Sequence, residues 1–277
     1  MSWSARGVGI ANIAMDGTVL DTWFPAPELL LNDDTTSSTT TRVSAHELSP
    51  QFLRLIGADR DRLVELVPVR TVIADLSAPP VDAHDVFLRL HLLSHRLVKP
   101  QTINMNGAMD LLVPVVWTNK GPCLADNFET VRTNLRARGL IHVYSIDRLP
   151  RMVDYVVPTG VTIAEAERVR LGAYLAEGTS VVREGYVSHN AGTLGPARVE
   201  GTISAAVVGA GCTLHPSAGV IGLNLGERCE IGAGITLEPD TLLLDDSTRL
   251  AAHHLSGQSN LRITREPDAP LPVLRRI

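Results

Sequence analysis

The chain has 277 residues, 44% of them hydrophobic and 20% charged, enough for one large or two small domains with a sizeable core. A formal charge of -5 and a pI near 6.0 supply no basic field for a phosphate backbone, so nucleic acid is not an expected partner. The longest apolar stretches, such as Leu111 to Trp117, fall far short of the roughly 18 to 20 residues of a membrane helix, and no basic-then-apolar export signal opens the chain. A soluble cytoplasmic protein with no membrane partner is expected.

Residues 8 to 24 predict a β-hairpin. Val8, Ile10 and Ile13 lead into Asp16-Gly17, which tolerates the positive φ of a tight turn, and Val19, Leu20 and Trp23 return. Asn32 to Thr41 is polar throughout and predicts a mobile surface loop. Val64 to Leu76 is rich in β-formers, and Asp82 to Val98 predicts a helix because Val86, Leu90, Leu93 and Leu97 recur at helical spacing. His84, His91 and His95 share the opposite face, which predicts a polar or interfacial stripe rather than a metal site. Asp126 is expected to cap a further helix, with Glu129 completing a capping box, Phe128, Val131 and Leu135 as its buried stripe, and Gly139 as its stop. Residues 1 to 150 therefore predict an α/β domain. Cys123, Cys212 and Cys229 are odd in number, widely spaced and free of any CxxC pair, which predicts reduced, inert thiols.

After residue 150 the apolar pattern takes a period of six. Val157, Ile163, Val169, Leu175, Val181 and Val187 are followed, after breaks, by Val199, by Val208, Leu214 and Val220, and by Leu225, Ile231, Leu237 and Leu243. Neither a 3.6-residue helix nor a two-residue alternation gives that period. A left-handed parallel β-helix does, with three six-residue sides per triangular coil and one aliphatic side chain pointing inward from each. Gly172, Gly178, Gly185, Gly211, Gly226 and Gly232, with Pro158 and Pro239, fall mostly at corners. Residues 188 to 198 are expected to leave the prism as a loop, and the phase slips again between 220 and 225. The solenoid is placed at 151 to 247, with a C-terminal extension from 248 to 277.

Several runs carry a family resemblance: RLHLLSHRLVKPQTIN (89 to 104), VVWTNKGPC (115 to 123), PRMVDYVVPTGV (150 to 161), VRLGAYL (169 to 175), EGYVSHNAGTLG (184 to 195), VEGTIS (199 to 204) and LSGQSNL (255 to 261). From residue 7 to about 263 the chain resembles the tetrahydrodipicolinate N-succinyltransferases of the actinobacterial and pseudomonad type. The resemblance implies a homotrimer that moves an acyl group from acyl-CoA to the amino group of a small amino-dicarboxylate in lysine and diaminopimelate metabolism. It places the catalytic glutamate at Glu200: an amine attacking a thioester must lose a proton that a carboxylate can accept, and a carboxylate can alternatively act as a nucleophile through an anhydride. It places Glu167 and Glu184 on acidic positions that hold a magnesium ion on the trimer axis, where three copies of each would otherwise repel. It lays the donor along Thr202, Ser204, Gly219, Gly222, Gly232, Ala233 and Arg265.

Departures from the family pattern gather on the donor side. Between Ser204 and Gly226 a longer glycine-rich stretch is reduced to SAGVIGLN (217 to 224). Cations of the family are replaced by Thr202, Ala251 and Thr264, leaving Arg265. Such cations would pair with CoA phosphates or the succinyl carboxylate, so acetyl-CoA stands beside succinyl-CoA as the expected donor. Shorter relatives in tabtoxin-type β-lactam biosynthesis offer a parallel. The alternative is a catalytically inactive trimer that binds the acceptor without CoA chemistry. His189 and His215, both foreign to the family pattern, are further candidates for a general base, with solvent-facing loop histidines as the plainer reading.

Overall fold

The computed structural model describes residues 3–31, 37–44, 46, 48, 50–246 and 248–277. It divides into two compact units, Met1–Leu92 with Thr102–Pro150, and Leu93–Gln101 with Arg151–Ile277. No helix among the described residues is long and apolar enough to cross a membrane.

In the first unit β1 (Trp3–Ala14) and β2 (Val19–Trp23) form the expected antiparallel hairpin, turning at Gly17 with φ 90°. β3 (Glu28–Leu31) adds to β1, while β4 (Thr39–Arg42) and β5 (Gly57–Asp59) add to β6 (Val64–Ile73), which pairs with β1 along its length. The predicted polar loop is thus partly corrected: residues 32–36 lie outside the described residues, but Thr39–Arg42 is an edge strand whose Thr40 hydroxyl bonds that of Thr71 at 3.0 Å.

Beyond the short helix α1 (Pro50–Leu53), α2 spans Ala83–Ser94 and ends short of the predicted Val98, because Arg96 takes a left-handed φ of 63°. The expected division of α2 into apolar and polar faces is not found. Phe87, Leu88, Arg89, Leu90, His91, Leu92 and Leu93 are all buried, and Leu97 is exposed. His91 Nε2 accepts from the Phe24 amide at 3.2 Å, which makes Nδ1 the donor to the Phe87 carbonyl at 2.7 Å. Among the described residues no three His, Cys, Asp or Glu side chains converge as metal ligands.

A second sheet has the order β8 (Gly121–Leu124), β7 (Val115–Thr118), β9 (Val143–Asp147). α3 (Phe128–Leu135) packs Phe128, Val131 and Leu135 on Val116 and Cys123 as expected. Its start differs from prediction: Asn127, at φ 58°, occupies the N-cap without a side-chain capping bond, so neither Asp126 nor the capping box operates.

Asp59 is the anionic hub of this unit. Its carboxylate takes Arg62 Nε at 2.7 Å and Arg138 at 2.8 Å, while Arg62 also reaches Asn12 and the Pro122 carbonyl. Burial raises the Asp59 pKa, but the hydrogen bonds and charges of Arg138 and Arg62 outweigh it and hold the group at about 2. A depressed carboxylate stabilises the fold above its ordinary value of 3.8, and that contribution is lost as the pH falls through about 2. In Asp59→Asn, denaturant unfolding followed between those two pH values is expected to show a shallower loss of stability than in the unsubstituted chain. An unchanged slope would refute the ion-pair account.

The second unit is the hexapeptide-repeat β-helix expected from the sequence. Its first side stacks Thr162–Ile163, Ser180–Val181, Ala197–Val199, Cys212–Leu214, Glu230–Ile231 and Leu261–Thr264 as parallel strands. Tyr186–Val187, Thr202–Ser204, Gly219–Ile221 and Thr236–Leu237 make the second side, and Tyr174–Leu175, Gly192–Thr193 and Val207–Val208 the third. In register on the first side, Val181, Val199, Leu214 and Ile231 are all buried, as are Val187, Ile203, Val220 and Leu237 on the second.

Two expectations are corrected here. Val157 is 78% exposed, so the prism begins at Thr162. Residues 188 to 198 do not leave it: Thr193 occupies the inward hexad position, paired with Leu175 and Val208. A hydroxyl is tolerated in that core because Thr193 Oγ1 and Thr179 Oγ1 bond each other at 2.7 Å, and both side chains are buried. The phase slip at 220 to 225 is present, with Leu225 bridging to Val208, and a larger one lies between Val199 and Ile203. There the corner is cut from six residues to four.

Candidate functional site

One corner per coil joins the first side to the second, and register stacks these corners along the prism. The corner residues are Glu167 in the turn Ala166–Arg168, Glu184, Glu200, His215, and then Gly232 with Ala233. Val199 pairs with Leu214, and the Glu200 amide donates to the Leu214 carbonyl at 2.9 Å. Glu200 and His215 are therefore one β-strand spacing apart, about 4.8 Å. Coil-to-coil approach is tight at the shortened corner: a Cβ on Gly201 would run into the Ala218 carbonyl oxygen, so no larger residue fits beside Glu200 without displacing backbone.

Two polar clefts flank the second side. The first, about 450 Å³, is lined by Arg168, Glu184, Thr202, Ser217, Gly219 and Thr236. It brings together three of the sequence-predicted residues, Glu184, Thr202 and Gly219. The second, about 390 Å³, includes Ser188, His189, Ser204, Gly222 and Ser256. It follows a stack of left-handed corner residues, with Asn190 at φ 49°, Ala205 at 48° and Gly222 at 70°. Gly232 and Ala233 sit one coil beyond His215 and two beyond Glu200, and Arg265, exposed, follows Leu261–Thr264. Neither cleft brings the whole predicted donor set together.

Electrostatics separate the three corner carboxylates. Glu200 is 19% exposed, and its Oε1 takes Arg198 Nε at 2.6 Å. Glu167 Oε1 takes Arg151 Nη1 at 2.9 Å, and its pKa is lowered, first by a bond from its own amide and then, against desolvation, by Arg151. Glu184 lends its backbone carbonyl to Arg168 at 3.4 Å. Within a single chain, then, Glu167 is already neutralised by an arginine, and no ligand cluster forms with Glu184 among the described residues. These donors do not fit a magnesium site inside one subunit.

Sequence reasoning missed several residues of this region. Gln101 and Asn224 clasp each other's amides, Nε2 to Oδ1 at 3.1 Å and Nδ2 to Oε1 at 2.8 Å, closing one wall of the second cleft. No local pattern gives Gln101 a role, because its partner is 123 residues away. Glu230 and Arg262 were missed because they point outward, beside the inward residues Ile231 and Ile263 on which the period rests. All three cysteines are free and buried. Desolvation raises Cys123 to about 11. Parallel register nonetheless brings Cys212 and Cys229 onto adjacent coils, where the Cys229 amide donates to Cys212 Sγ at 3.3 Å; a bond from Cys212 lowers Cys229 to about 7, and Cys212 is raised in return.

Comparison with known proteins converges on one family. A family model described as "Tetrahydrodipicolinate N-succinyltransferase middle" matches residues 112–151. The 2,3,4,5-tetrahydropyridine-2,6-dicarboxylate N-succinyltransferase of Salinispora tropica is 45% identical over 206 residues, covering 74% of this chain and 64% of the relative. Its namesake from Pseudomonas aeruginosa is 40% identical over 231 residues, covering 71% of this chain and 67% of the relative. The chain thus spans about two thirds of the length of these relatives. In fold it resembles the crystal structure of a putative 2,3,4,5-tetrahydropyridine-2-carboxylate N-succinyltransferase from Campylobacter jejuni, with a TM-score of 0.78, 21% identity, and coverage of 98% of this chain and 91% of that one. On the strength of the Pseudomonas match and of the family-model match in the first unit, the chain belongs to the tetrahydrodipicolinate N-succinyltransferase family.

Proposed function

We propose that the protein is an acyl-CoA-dependent N-acyltransferase of lysine and diaminopimelate metabolism, acting as a homotrimer on the ring-opened amine of tetrahydrodipicolinate or a closely related amino-dicarboxylate. The observation that carries this reading is Glu200, fixed by the shortened corner next to Gly201 and Thr202, which open onto the cleft with Arg168. An acceptor amine arrives as an ammonium and must shed a proton before it can attack a thioester; a carboxylate held in place on a rigid corner suits that step. Thr202, Ser217 and Thr236 offer hydroxyls to the acyl and acceptor oxygens, and Arg168 offers a cation to a carboxylate.

Succinyl-CoA is the donor favoured by the names of the relatives. Arg168 supports the same choice, since it places a guanidinium in the cleft where Thr202 has replaced the family cation. Ser204, Gly222, Gly232, Ala233 and Arg265 remain the proposed path for the rest of the donor. Glu167 and Glu184 would approach their counterparts only across a trimer axis, and magnesium there remains a proposal of the resemblance alone. A competition between equal concentrations of succinyl-CoA and acetyl-CoA, with the products separated by mass, tests donor choice. The N-succinyl product is expected to dominate in the unsubstituted chain and to lose its lead in Arg168→Ala; an excess of N-acetyl product in the unsubstituted chain would reverse the assignment.

A further inference from the structure

Transfer of an acyl group to an ammonium removes two protons from nitrogen, one before attack and one as the N–C bond forms. Glu200 accounts for the first. Directly beside it in the stack, His215 is held in a hydrogen-bonded row: Nε2 lies 3.0 Å from Glu230 Oε1, and the other oxygen, Oε2, takes Arg262 Nε at 2.7 Å. Three coils contribute to this row, and Arg262 arrives from a strand 32 residues beyond Glu230. Glu230 has its pKa lowered first by the bond from His215 and then, against desolvation, by Arg262, so it stands as a carboxylate. A carboxylate on Nε2 fixes the tautomer with the proton there and leaves Nδ1 as a base, the arrangement by which an oriented imidazole serves proton transfer. The same corner continues through Ser217 to the first cleft, and the Ala218 amide bonds back to the His215 carbonyl at 2.9 Å.

We propose that His215, oriented by Glu230 and Arg262, is a second catalytic residue that takes the proton released as the N–C bond forms and delivers it to the departing thiolate. In this step nitrogen bonds to the thioester carbon, the C–S bond breaks with its electron pair on sulfur, and the proton moves from nitrogen to Nδ1 and on to sulfur. The amide and the free CoA thiol are the products, with the earlier proton passed from Glu200 to solvent. Glu230 and Arg262 are positioning residues. The inference rests on the acyltransferase reading proposed above.

Its test is thiol release from succinyl-CoA and acetyl-CoA with 2-aminopimelate as acceptor. His215→Ala is expected to lower kcat about 100-fold with little change in KM, and added imidazole is expected to restore about a tenth of the lost rate. His215→Gln, which keeps a donor to Glu230, is expected to lose as much as the alanine variant, and Glu230→Gln to lose about tenfold. Imidazole should do nothing for Glu200→Gln. A kcat for both His215 variants within threefold of the unsubstituted chain, or a loss that imidazole does not rescue, overturns the proposal while leaving the acyltransferase reading intact. Absence of thiol release from the unsubstituted chain with both donors overturns the reading itself and the proposal with it.

Discussion

Glu200→Gln is expected to lower kcat by about 10²- to 10⁴-fold while leaving KM and the thermal midpoint close to those of the unsubstituted chain. Glutamine keeps the shape of the side chain and an oxygen for Arg198, so the corner has no reason to move. What disappears is a carboxylate able to accept the first proton of the acceptor ammonium. The backbone holds the position independently of the side chain, through the Glu200 amide on Leu214 and the Thr202 amide on the Ala218 carbonyl at 2.8 Å. A kcat within threefold of the unsubstituted chain, measured as acceptor-dependent thiol release, would remove Glu200 from the chemistry.

The largest effect on stability is expected for Asp85→Ala. Asp85 and Arg89 lie one turn apart on α2, with side chains only 2% and 1% exposed and Nε to Oδ1 at 2.7 Å. Arg89 also donates to the carbonyls of Leu76 at 2.9 Å and Asn104 at 2.7 Å, and Asp85 Oδ2 accepts from the Val81 amide at 3.0 Å. Removing the carboxylate leaves a buried guanidinium without its counter-charge, a loss of about 3 to 5 kcal/mol in urea unfolding. Glu28→Ala is the control. It removes an ion pair with Arg6 in which both side chains are about half exposed, and it is expected to change stability by less than about 1 kcal/mol. Similar losses in the two variants would mean that the α2 pair does not anchor its unit.

The β-helix was legible because one inward aliphatic residue marks each side, and register then follows from spacing alone. Thr193 escaped that reading. Its hexad position is polar, and the hydroxyl that makes it tolerable, Thr179, occupies no hexad position itself. The α2 histidines were misplaced for a related reason: helical periodicity divides a helix into two faces, whereas the partners of His91 and Arg89 are backbone groups of Phe24, Leu76 and Asn104, which no local pattern can announce. At the candidate site, Glu200 was reached through the VEGTIS run, and the resemblance also named Thr202, Gly219 and Glu184, which share a cleft. Arg168, Glu230 and Arg262 became visible only when the coils were stacked, since each acts on a residue one coil away.

A step of four residues instead of six from Val199 to Ile203 draws the Ala218 carbonyl onto Gly201, while the pairing of Val199 with Leu214 sets His215 beside Glu200. Outward groups of two adjacent coils, Glu200 and His215, thereby meet beside one tight corner.

The most direct measurement is CoA thiol release by the unsubstituted full chain, with succinyl-CoA, in the presence and absence of tetrahydrodipicolinate or 2-aminopimelate. The account predicts release that depends on the acceptor. Binding of the acceptor without any release, from succinyl-CoA or acetyl-CoA, would contradict it and leave a protein that holds the metabolite without transferring to it.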